Sequence, residues 1–92
     1  MQKPVSDMTP EEYLAYLNDL PRAELLSIVA HDVKKVVSVA HGYISLIRLD
    51  IEEGILDPVQ VKEYIDEMEA MLKKSYVYVE QAESSYRERL DS

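Results

Sequence analysis

Leu25-Leu26-Ser27-Ile28-Val29-Ala30-His31-Asp32-Val33-Lys34-Lys35-Val36-Val37-Ser38-Val39-Ala40-His41-Gly42-Tyr43-Ile44 is the stretch that decides the fold. It contains no proline, and Gly42 is its only helix breaker. At about 100° per residue, its apolar side chains recur with the three-and-four spacing of an amphipathic helix. Leu26, Val29, Val33, Val37, Ala40, Ile44, Ile47 and Ile51 form one stripe, which Leu25, Val36, Tyr43 and Leu46 widen. Ser27, His31, Lys34, Ser38, His41, Ser45 and Arg48 fall on the opposite side.

Only Gly42 interrupts helical sequence between residues 21 and about 53. At about 1.5 Å per residue such a helix reaches about 50 Å. Gly54 suits the left-handed position that ends a helix. Asp57-Pro58-Val59-Gln60 then offers a cap, a proline at the first helical position and a Gln three residues after the cap. A second long helix is expected over 58–90. Val61, Ile65, Met68, Leu72, Val79, Ala82 and Tyr86 form its stripe, flanked by Tyr64, Met71 and Tyr76. The connection is short, so the two helices should pack antiparallel.

Upstream, Thr9-Pro10-Glu11-Glu12 carries a capping box and predicts a short helix over 10–18, with Tyr13, Leu14 and Leu17 on its apolar face. Asn18-Asp19-Leu20-Pro21 ends it. The expected organisation is a flexible leader over 1–8, a short helix over 9–20 and a helical hairpin over 21–92. The stripes are too wide for one hairpin to cover, because each helix would have a single neighbour. The expected fold class is therefore all-α: an antiparallel helical hairpin forming a dimeric four-helix bundle, with a short extra N-terminal helix.

Composition narrows the function. The chain has 92 residues and no cysteine, which excludes disulfides, zinc-thiolate sites and thiol chemistry and permits a reducing cytoplasm. Its formal net charge of −8 argues against nucleic acid or an anionic membrane surface as partner. No apolar run approaches the roughly 18–20 residues needed to cross a bilayer. His31 and His41 lie ten residues apart, which is not a helical metal spacing, so no metal is expected.

His31 is the candidate for chemistry. The helical wheel sets it about 160° from Val33, on the solvent side. Asp32 adjoins it, with Lys34 and Lys35 one turn on. An exposed imidazole is a competent nucleophile at neutral pH, a carboxylate can take or orient its second proton, and nearby cations favour a phosphoryl group. Taken alone, an exposed His-Asp pair is ordinary solvated helix surface. His41 lacks the acidic neighbour and reads as a solvated histidine. Glu63, Asp66, Glu67 and Glu69 read as a solvated face. Tyr43, Tyr64, Tyr76 and Tyr86 read as core residues with hydroxyls at the bundle edge, and Met68 and Met71 as gap-fillers.

The string from Leu25 to Lys35, continued to Gly42-Tyr43-Ile44, resembles the H-box of the histidine kinase A family. There the phosphoaccepting His precedes an acid, an aliphatic residue and a basic one. A Gly-Tyr pair follows eleven and twelve residues after the His, as Gly42 and Tyr43 do here. The resemblance covers most of the chain, and its specific part is the first long helix.

It implies the dimerisation and histidine phosphotransfer domain of a two-component sensor kinase, a homodimer in the cytoplasm. His31 would be the phosphoacceptor, Asp32 the general base or orienter, and Lys34 a stabiliser of the phosphate. The family's N, G and F nucleotide boxes are absent from these residues. No cofactor is therefore expected in this chain, ATP being bound by a separate domain in cis or in trans. The phosphoryl group would then pass to the receiver domain of a response regulator.

Two positions depart from the family. Val36 stands where a helix-bending proline is usual, which implies a straighter helix. Lys35 stands where Thr or Asn serves phosphatase activity, which puts that activity in doubt. A stand-alone phosphotransferase acting in trans and a non-catalytic helical dimerisation module are the competing expectations.

Overall fold

A computed structural model describes residues 3–90. Most of these residues are helical, with no strand among them: a 3-10 turn Val5–Asp7, then α1 (Pro10–Asn18), α2 (Arg22–Glu53) and α3 (Pro58–Leu90). Local chemistry accounts for each boundary. At the start of α1 the Thr9 hydroxyl accepts from the Glu12 N–H and the Glu12 carboxylate accepts from the Thr9 N–H, both at 3.1 Å. Lys3 pairs with Glu12 at 3.0 Å. The Thr9 backbone bond and the Lys3 ammonium hold the Glu12 carboxyl below the usual carboxylate range.

At the end of α2, Gly54 adopts φ 70°, and the Ile55 N–H reaches back to the Asp50 carbonyl at 3.0 Å. That six-to-one closure satisfies a carbonyl the helix leaves open. Asp57 caps α3, but its carboxylate accepts from the Val59 N–H at 3.0 Å, one residue nearer than the expected Gln60 position. Pro21 lies outside α2 as its N-cap, so the helix begins one residue later than expected. Val36 lies inside the unbroken α2 and is buried. A Cβ at Gly42 would meet nothing within 4 Å, so no close approach within this chain requires glycine there.

The three helices share one core, at the end of the molecule where α1 lies. Tyr13 and Leu17 of α1 pack with Leu25, Val29 and Val36 of α2 and Tyr78 of α3. Tyr43 of α2 meets Tyr64 of α3, ring centroids 5.6 Å apart. Polar bonds tie α1 to the C-terminal end of α3. The Ser85 hydroxyl donates to Asn18 Oδ1 at 2.6 Å, and Asn18 Nδ2 donates to Glu88 at 2.8 Å. Arg89 donates to the Leu17 and Leu20 carbonyls at 2.7 and 2.8 Å, which satisfies carbonyls at the C-terminal end of α1.

Three features of the single chain could not be read from the helical wheel. The leader is not featureless: Val5 and Met8 pack against the core from either end of the 3-10 turn, while residues 1 and 2 lie outside the described part. Residues 91 and 92, the end of the expected hairpin segment 21–92, also lie outside it. Within the single chain the buried tyrosines are Tyr13 and Tyr78, while Tyr76 (69% exposed) and Tyr86 are exposed. The apolar stripe of α2 divides, because α1 and α3 cover only one side of it. Val29 and Ala40 are buried beside Leu25 and Val36, while Leu26 (81% exposed), Val37, Ile44 and Ile51 remain outside. Ile65, Leu72 and Val79 of α3 are likewise exposed.

Candidate functional site

His31 sits in the first half of α2, on the face turned from the core, and is exposed. The reason is periodicity: Leu25, Val29 and Val36 turn inward, and His31 falls on the opposite arc of the same helix. Its imidazole forms no hydrogen bond among the described residues. Two shallow depressions meet at it. One, of about 580 Å³, runs along α2 between Ser27, Lys34 and Val37. The other, of about 550 Å³, opens toward α3 and is bordered by Ser6, Lys34, Lys35, Ser38 and Lys74. Lys34, the expected phosphate stabiliser, therefore borders both depressions with His31.

Asp32, the expected base or orienter, lies elsewhere. It is 8% exposed, and its Oδ2 accepts the Tyr13 hydroxyl at 2.9 Å. No hydrogen bond joins it to His31 among the described residues. Consecutive helical positions diverge by about 100°, so turning His31 outward brings Asp32 against the core. Three tyrosines surround the carboxyl. Tyr13 lies 4.5 Å from Tyr78 and 5.9 Å from Tyr16, between ring centroids. Burial, then the Asp32 hydrogen bond and charge, push the Tyr13 phenol far above its ordinary value. Tyr78 and Tyr16 are raised too, first by burial and then by the Asp32 charge. Asp32 also borders a depression of about 250 Å³ with Ser6, Lys35 and Tyr78, next to the one that His31 borders.

The structure thus joins His31 to Lys34, and Asp32 to Tyr13. Tyr13 reads from sequence only as part of an apolar helix face, and Lys74 carries no local signal, because its place depends on how α3 lies against α2. His41 is exposed, and the Ser45 hydroxyl donates to its backbone carbonyl at 3.2 Å. Among the described residues, no group of three or more His, Cys, Asp or Glu converges to hold a metal. No described helix is long and apolar enough to cross a membrane.

Neither a family model, nor a curated protein, nor a solved structure matches the chain.

Proposed function

We propose that this chain is the dimerisation and phosphoacceptor module of a two-component sensor histidine kinase, with His31 carrying the phosphoryl group. The observation that carries the reading is an unbonded, exposed imidazole on the outer face of a long helix, bordered by Lys34 and Lys35. A ring nitrogen of His31 attacks the γ-phosphorus of ATP presented by a separate domain. The N–P bond forms as the bond to the ADP oxygen breaks, ADP leaves with that electron pair, and the ring's second proton passes to Asp32 or to solvent water. The phosphoryl group then passes to an aspartate of a receiver domain, and the N–P bond breaks. Positioning and charge stabilisation account for most of such a transfer.

In this reading α2 and α3 form an antiparallel hairpin that pairs with a second copy as a four-helix bundle in the cytoplasm. The exposed Leu26, Val37, Ile44 and Ile51 of α2 and Ile65, Leu72 and Val79 of α3 support it, because burying such stripes is the main driving force for helix association in water. For Asp32 to serve as base or orienter, its second carboxylate oxygen must reach His31 from the core side of α2, or the Tyr13 bond must open.

That last requirement favours a second reading, a non-catalytic helical dimerisation module in which Asp32 is purely structural. Incubation of the chain with ATP and a competent ATP-binding kinase domain separates the two. Acid-labile phosphohistidine that disappears in His31→Gln is the expected result. No label, or label that survives the substitution, overturns the phosphoacceptor reading.

A further inference from the structure

His31 does not stand on α2 alone. The depression it borders toward α3 is lined by Lys34, Lys35 and Ser38 of α2, Lys74 of α3 and Ser6 of the 3-10 turn. Lys73 joins Lys74 beside Ser6 in an adjoining depression on the other flank of that turn. Four of the chain's six lysines, Lys34, Lys35, Lys73 and Lys74, thus gather around His31 and the turn, in a protein of formal net charge −8. An even spread over so acidic a surface would pair cations with carboxylates. Instead, the ion pairs among the described residues are Lys3–Glu12 and Arg87–Glu83, and none of the four takes part. Of the carboxylates nearest in sequence, Asp32 is bonded to Tyr13, Asp7 is exposed beyond Ser6, and Glu69 lies one turn before Lys73 on α3 without an ion pair to it among the described residues.

We propose that this depression binds the oxyanion of a phosphoryl group, with Lys35 and Lys74 flanking it from the two helices and the Ser6 and Ser38 hydroxyls donating to it. Lysine binds phosphate as a point charge, and cations gathered beside apolar side chains, here Val39 and Met71, raise the local positive potential. A phosphoryl group on His31 would lie at the lip of the site. The inference deepens the phosphoacceptor reading and rests on it for its biological role, while the binding itself requires no transfer.

The full chain, labelled with ¹⁵N, is titrated with inorganic phosphate, pyrophosphate and ATP, each against potassium chloride at matched ionic strength. Saturable amide shifts at Ser6, Lys35, Ser38 and Lys74 are expected. Pyrophosphate should bind at least about fivefold more weakly to the K35Q/K74Q variant, with K35R/K74R restoring binding and K62Q leaving it unchanged. ATP binding tighter than pyrophosphate would identify a nucleotide as the source of the oxyanion, and equal affinities the phosphate chain alone. Shifts no larger than those from chloride, shifts spread over every lysine, or indifference to K35Q/K74Q overturn the proposal. Anion binding without phosphohistidine keeps this site and removes the transfer reading. Phosphohistidine without saturable anion binding at these residues does the reverse.

Discussion

The Tyr13 hydroxyl of α1 donates to the Asp32 carboxylate of α2 at 2.9 Å, with Tyr13 wholly buried. A buried carboxyl without a donor is costly, so the bond satisfies Asp32 and at the same time anchors α1 across α2. It also divides the His31-Asp32 pair. The imidazole faces solvent while the neighbouring acid is bonded within the core, and no hydrogen bond joins the two among the described residues.

Tyr13→Phe leaves Asp32 buried without its donor. A loss of about 1–3 kcal/mol is expected, measured as a lower urea midpoint at an unchanged slope. In the double variant with Asp32→Asn, the combined loss should be smaller than the sum of the two single losses, because both act on one bond. Strict additivity would show that the bond contributes nothing.

Alkaline pH should weaken the fold. Tyr13, Tyr16 and Tyr78 all hold their protons more tightly when folded. The unfolded chain releases them near the ordinary tyrosine value of about 10, while the folded chain keeps them, so stability is intact below that pH and falls above it. Urea midpoints should be level between about pH 8 and about pH 9.5 and lower at about pH 11, with a shallower fall in Tyr13→Phe. Tyrosinate absorbance in native protein checks the same shift directly.

Arg89 ties the last turn of α3 to the Leu17 and Leu20 carbonyls. Arg89→Ala should cost about 1–3 kcal/mol and speed amide exchange through α1 and residues 18–21 more than at the far end of the molecule, near Tyr43 and Tyr64. Uniform acceleration over the whole chain would show that α1 does not open separately.

The proposed dimer gives a separate outcome. Leu26 is so exposed in the single chain that Leu26→Glu should alter its intrinsic stability by no more than about 0.5 kcal/mol. Sedimentation should nevertheless show the wild type as a dimer at micromolar concentration and Leu26→Glu, Ile44→Glu as a monomer. A monomeric wild type removes the four-helix bundle.

The helix boundaries were legible in the residues themselves because each depends on bonds spanning a few positions. Thr9 with Glu12, Gly54 past α2 and Asp57-Pro58 before α3 each act within one turn. The exposure of His31 was legible for the same reason, since helical period alone sets it opposite Val29 and Val36. Tertiary structure decided what depends on contacts between distant segments. It chose which half of the wide apolar stripe is covered, turning Leu25, Val29, Val36 and Ala40 inward and leaving Leu26, Val37, Ile44 and Ile51 outside. It also brought Tyr78 rather than Tyr76 into the core, bonded Asp32 to a tyrosine nineteen residues away and set Lys74 beside His31. Periodicity names the face of a helix, but the partner that reaches it depends on how whole helices pack, which no local pattern encodes.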